Sequence, residues 1–174
     1  QKGALAMPKL PPPLPPAHLR DPGDSWVEGP DGKRYWGRFG AAGALVWHPP
    51  QGVLLQLRAE WSHNGGTWGI PGGALKAGES AHHAALRESR EEAGVPAEGL
   101  ETLHTEVFDL GFWSYTTVLF HAPDYFEPDS SDYESDDVRW IPIDTVSSLD
   151  LHPGFESSWP GLRGIIEEQR LKLG

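Results

Sequence analysis

Cysteine is absent from the 174-residue chain. No disulfide framework, no thiolate zinc site and no cysteine nucleophile can therefore be built. A chain without disulfides suits a reducing compartment, and the expected location is cytoplasmic. Basic side chains are also scarce: 14 Lys and Arg stand against 25 Asp and Glu, a net charge of −11. That sign counts against a broad grip on nucleic-acid phosphates or anionic lipid. Long apolar runs are missing too, since the longest, Ala41 to Trp47, falls far short of the ~20 residues that span a bilayer. Gln1 to Met7 shows no apolar core of a leader peptide. Neither a nucleic-acid polymer nor a membrane is expected as a partner.

The length suits one domain with a real core. The first two dozen residues hold seven prolines, so they should run as polyproline II and turn rather than helix. Residues 1–38 are read as a proline-rich arm and 39–174 as the folded domain. Lys9, Pro12 and Pro15 fit a spacing read by aromatic grooves, though an extended spacer is the plainer reading. An arm laid against a neighbouring subunit leaves a homodimer open.

From Phe39 the pattern changes. GAAGALVW and VLLQLRAEW are two β-prone runs separated by HPPQG, which predicts a hairpin. TWGI is a short strand that ends at Pro71, Gly72 and Gly73. Ser80 to Ala93 predicts a helix with Ser80 as N-cap and Gly94 as its stop. Leu100–Phe108, Ser114–His121 and Val138–Ile143 read as strands, and 161–171 as a last helix, with Pro160 suited to its start. Strands and helices mix without βαβ alternation, so the expectation is an α+β domain with a mixed sheet. Seven acidic residues and no Lys or Arg fall between Asp124 and Asp137, so most of the excess charge is local.

At about 100° per residue, Glu88, Glu91 and Glu92 share one arc of the predicted helix. Like charges so placed repel, and a cation is the usual reason to accept the cost. Ala81, Ala84 and Ala85 are read on the same arc, where small side chains admit a close neighbour. Leu86, Ser89 and Ala93 form the core-facing stripe. The Ser89 hydroxyl is expected to bond back to the Ala85 carbonyl. His82 and His83 are read as solvated.

The segment GALKAGESAHHAALRESREEAGV resembles the Nudix box, G-x5-E-x7-R-E-U-x-E-E-x-G-U with U a bulky apolar residue. Gly73, Glu79, Arg87, Glu88, Glu91, Glu92, Gly94 and Val95 match, and Ser89 at the first U is the departure. The resemblance implies an α/β/α sandwich, with the box helix on one side of a mixed sheet and a C-terminal helix. It implies metal-dependent hydrolysis of a pyrophosphate bond in a nucleoside diphosphate-linked substrate. Mg²⁺ is the expected cofactor, with Mn²⁺ able to take its place. Hard cations of this kind favour carboxylate, carbonyl and water oxygens.

By the same resemblance Glu91 and Glu92 are ligands, with the main-chain carbonyl of Gly72 or Gly73 in the inner shell. Glu88 either ligates a second ion or accepts the proton of the attacking water. Arg87 orients the carboxylates, and Glu79 is structural or outer-shell. Glu134, in YESDDVRW, resembles a later-loop glutamate of MutT-like members that serves as ligand or base. Arg58 matches the place of a phosphate-contacting arginine, an exposed strand-end arginine being the alternative. A nucleobase needs aromatic faces; Trp68 and Trp113 are the chosen candidates among a group that includes Phe112, Tyr115, Trp26, Tyr35 and Trp36.

Subgroup hints are unmet. The proline that ADP-ribose hydrolases tend to carry downstream falls on Gly111, and the tyrosine of dinucleoside-polyphosphate hydrolases on Phe112 and Trp113. The default is a MutT-like enzyme that splits a nucleoside or deoxynucleoside triphosphate into monophosphate and pyrophosphate. An ADP-ribose or nucleotide-sugar pyrophosphatase is the alternative, and outside enzymes, a silent nucleotide sensor or an adaptor.

Overall fold

The structure is a computed structural model that describes residues 21–130 and 135–173. Lys9, Pro12, Pro15 and Glu134 lie outside the described residues. The chain forms strands β1 (Trp26–Glu28), β2 (Arg34–Trp36), β3 (Ala41–His48), β4 (Gly52–Arg58), β5 (Trp68–Gly69) and β6 (Gly72–Ala74), then helix α1 (Ala81–Ala93). Strands β7 (Glu101–Asp109), β8 (Ser114–His121) and β9 (Ser135–Ile141), a 3-10 helix (Ile143–Ser148) and helix α2 (Pro153–Leu173) follow.

Seven strands make one sheet in the order β5-β4-β3-β8-β7, with β6 added to β3 and β9 to β4. β3 and β8 run parallel while the other pairs are antiparallel, so the sheet is mixed. β3 is buried along its whole length, and its alternating side chains serve two cores. Leu45 and Trp47 join Val53, Leu55 and Leu119 beneath Phe155, Trp159, Leu162 and Ile166 of α2. Ala42, Ala44 and Val46 join Leu54, Val118 and Phe120 beneath Ala84, Ala85 and Ala93 of α1. The expected α/β/α sandwich is what forms. Each large apolar side chain so buried contributes about 1.5–3 kcal/mol.

The predicted hairpin is present, with Trp47 opposite Val53 and His48 opposite Gly52. Three expectations are corrected. Pro160 does not start the last helix but lies inside α2, which begins at Pro153. Phe155 and Trp159 are buried, and their apolar area holds the first turns against the loss of one hydrogen bond at the proline. Ala84 and Ala85 face the sheet, not a ligand, and their small size lets α1 lie close on β3. Residues 26–36 are more than extended arm: β1 and β2 pair Trp26 with Trp36, and the Tyr35 ring lies 4.8 Å from that of Trp113.

Candidate active site

The site grows from β6, the loop behind it and one face of α1. Ser80 caps the helix, its side chain accepting from His83 N–H, and Gly94 ends it in the left-handed region at φ 72°. Between β6 and the cap, Glu79 accepts from the Lys76 N–H at 2.9 Å. The segment ahead of β1 braces this loop, for a Cβ at Gly23 would collide with the Leu75 carbonyl.

Arg87 is the hub. Its Nε and Nη2 donate to Glu79 at 2.8 and 2.9 Å, and Nη2 also donates to the Ala74 carbonyl at 3.1 Å. Its Nη1 reaches Glu88 at 3.2 Å and Glu91 at 3.5 Å. Strand, loop and two helix carboxylates are thereby fixed to one guanidinium. The Arg87 hydrogen bonds hold the Glu79 carboxyl down at about 2, and Glu79 in turn raises the proton affinity of Arg87.

Glu92 is buried, and its Oε1 accepts from the Gly72 N–H at 3.4 Å. Glu88 packs against Gly73 so closely that a Cβ there would collide with the carboxylate, and it lies beside the Glu92 side chain. Burial is the main cause that pushes the Glu88 carboxyl above its ordinary pKa. Glu91 stands half exposed. Among the described residues no three such groups close into a metal cage. The donor set is nonetheless all oxygen, with anionic carboxylates beside the Gly72–Gly73 backbone, and that chemistry fits a hard divalent cation.

Of the other expected residues, Arg58 ends β4 with its Nε donating to the His63 carbonyl at 3.0 Å. Trp68 packs on the α2-side core. Trp113 donates from Nε1 to the Trp36 carbonyl at 3.1 Å and tethers the β1–β2 ribbon to the β7–β8 turn. Ser89 donates to the Leu86 carbonyl rather than to Ala85, a back-bond to the residue three before it in the middle of α1. His82 and His83, though exposed, are partnered, with Thr102 at 3.0 Å and Glu79 at 2.7 Å. Asp24 lies outside the box pattern: its pKa is raised by burial and by Asp21, and it feels Arg87, Lys76 and Glu91. No local pattern could reveal a carboxylate brought in from so far upstream.

These observations converge with known proteins. The NUDIX domain model matches residues 37–161. A Mycobacterium tuberculosis protein named "Putative 8-oxo-dGTP diphosphatase 3" is 47% identical over 165 residues, 87% of this chain and 76% of that protein. A "Nucleoside triphosphate pyrophosphatase/Nudix hydrolase fusion protein" of Bifidobacterium longum is 42% identical over 164 residues, 89% of this chain and 34% of the relative. The crystal structure of a Nudix hydrolase from M. smegmatis, RenU, shares 44% identity at a TM-score of 0.76, covering 84% of this chain and 96% of the other. The chain belongs to the Nudix family. It is a MutT-like pyrophosphohydrolase that acts on nucleotides with a divalent metal. Among the described residues no helix is long and apolar enough to cross a membrane.

Proposed function

We propose that the protein hydrolyses a nucleoside or deoxynucleoside triphosphate to the monophosphate and pyrophosphate, with 8-oxo-dGTP the first substrate to try. The Arg87-centred cluster carries this reading, because it fixes Glu88, Glu91, β6 and the loop to one guanidinium, with Glu92 beside Glu88. The name of the tuberculosis relative supports the choice of oxidised guanine nucleotide.

Glu88, Glu91, Glu92 and the Gly73 carbonyl would hold Mg²⁺, or Mn²⁺ in its place. Bound there, the ion would supply charge neutralisation for the phosphate oxygens and the departing pyrophosphate. Glu88, packed against Gly73, is the candidate to take the proton of the attacking water. Arg87 keeps Glu88 and Glu91 in place. Arg58 takes the phosphate chain, and Trp68 and Trp113 are candidates to contact the base. Glu134 keeps the role of a second base or ligand suggested by its place in the sequence. The working location is the cytoplasm, on free nucleotides and not on a nucleic-acid polymer. The proline-rich arm is available for contact with a second copy.

The test is a panel of 8-oxo-dGTP, dGTP, dATP, ATP and ADP-ribose with Mg²⁺, with products separated by chromatography. Monophosphate and pyrophosphate from the triphosphates support the reading. Preference for ADP-ribose, or release of orthophosphate, refutes it.

A further inference from the structure

Two glycines mark the place of a side chain that the box pattern does not mention. A Cβ at Gly43 in β3 would collide with the Tyr115 hydroxyl, and one at Gly72 in β6 would stand 2.7 Å from it. In the parallel pairing of β3 with β8, Ala41 lies opposite Tyr115 and Gly43 opposite Thr117. The phenol therefore leans diagonally over Gly43, a path that exists because no side chain occupies it. Its tip ends at Gly72, whose N–H donates to Glu92.

Tyr115 is half-buried. Burial, then Glu92 and Glu88, push its pKa up, while Arg58 pulls it down. The phenol is an O–H donor, and it stands within electrostatic reach of Glu92, Glu88 and Arg58. A neutral donor here can hold an anionic oxygen without competing for the glutamates, as another cation would.

We propose that the Tyr115 hydroxyl binds substrate, donating to a phosphate oxygen of the nucleotide between the α1 glutamates and Arg58. This rests on the reading of the site as that of a nucleotide pyrophosphohydrolase. Arg58 and Tyr115 then grip the phosphate chain from β4 and β8, while the glutamates act from α1.

Tyr115→Phe keeps the ring, and with it the 6.3 Å contact with Trp113, and removes only the hydroxyl. Three measurements on the full chain decide the matter: calorimetric binding of an α,β-methylene nucleoside triphosphate with Mg²⁺, kcat/KM, and Mn²⁺ binding by electron paramagnetic resonance without nucleotide. A lost hydrogen bond to a charged oxygen should weaken analogue binding and lower kcat/KM by about 10- to 100-fold. Mn²⁺ affinity and thermal midpoint should match the parent protein. Analogue affinity within about twofold of the parent overturns the proposal, as does a loss of Mn²⁺ affinity, which would put the hydroxyl to work on the metal site. A parent protein that neither binds the analogue nor turns over any nucleotide defeats the functional reading itself, and this inference with it.

Discussion

Arg87 grips Glu79 through two hydrogen bonds, Nε at 2.8 Å and Nη2 at 2.9 Å, and both side chains are largely shielded from solvent. The pair joins the loop before α1 to the helix face that carries the glutamates. Glu79 thereby acts on the site through Arg87, without facing it.

Glu79→Gln should weaken this clamp. Loss of a charge-assisted bidentate pair costs about 1–3 kcal/mol of stability, and displacement of Arg87 should lower activity by about 10- to 100-fold. The Glu79 carboxyl titrates at about 2 in the folded chain against an ordinary 4.5. Its stabilising contribution is therefore complete above 4.5 and lost as pH falls toward 2. Urea unfolding at a series of pH values should show that loss in the parent protein and a flatter profile in the variant.

His152 gives a second pH signature. Its Nδ1 accepts from the Gly154 N–H at 3.0 Å, and its Nε2 lies 3.3 Å from the Asn64 side-chain amide. Burial first, then Arg58 and His63, lower its pKa from 6.5 to about 4. The unfolded chain takes up the proton first as pH drops, so stability should fall between pH 6.5 and 4. Thermal midpoints of His152→Asn should change less over that interval than those of the parent protein.

Gly94→Ala tests the end of α1. Its φ of 72° disfavours any side chain, and an added Cβ would sit 2.9 Å from that of Asp129. The Asp129 N–H donates to the Ala93 carbonyl at 3.0 Å, so strain at residue 94 passes into the acidic loop. Chemical denaturation should show a loss of about 1–2 kcal/mol.

The box helix was legible because its signals are local: Ser80 caps it, Gly94 stops it, and the spacing of its glutamates needs no tertiary knowledge. The start of α2 was not legible, since Pro160 reads as a boundary until burial of Phe155 and Trp159 outweighs it. The β1–β2 ribbon was hidden for the same reason, its order coming from Tyr35 and Trp36 meeting Trp113 across the fold. Within the site, the Arg87–Glu79 pair lies eight residues apart on a loop and a helix, a distance that periodicity cannot bridge. Asp24 and Tyr115 reach the glutamates only through the sheet. Arg58 is legible only through the resemblance, and Trp68 and Trp113 only as aromatic faces. The fold gives both tryptophans packing partners that sequence spacing does not reveal.

The most direct test of the account is pyrophosphate release from a nucleoside triphosphate by the parent protein and by Glu92→Gln, each with and without divalent metal. The parent should turn over only with metal, and the variant should be slower by at least about 100-fold with its thermal midpoint retained. A variant near the parent rate, or a parent protein inert toward every nucleotide at millimolar Mg²⁺ or Mn²⁺, would contradict it.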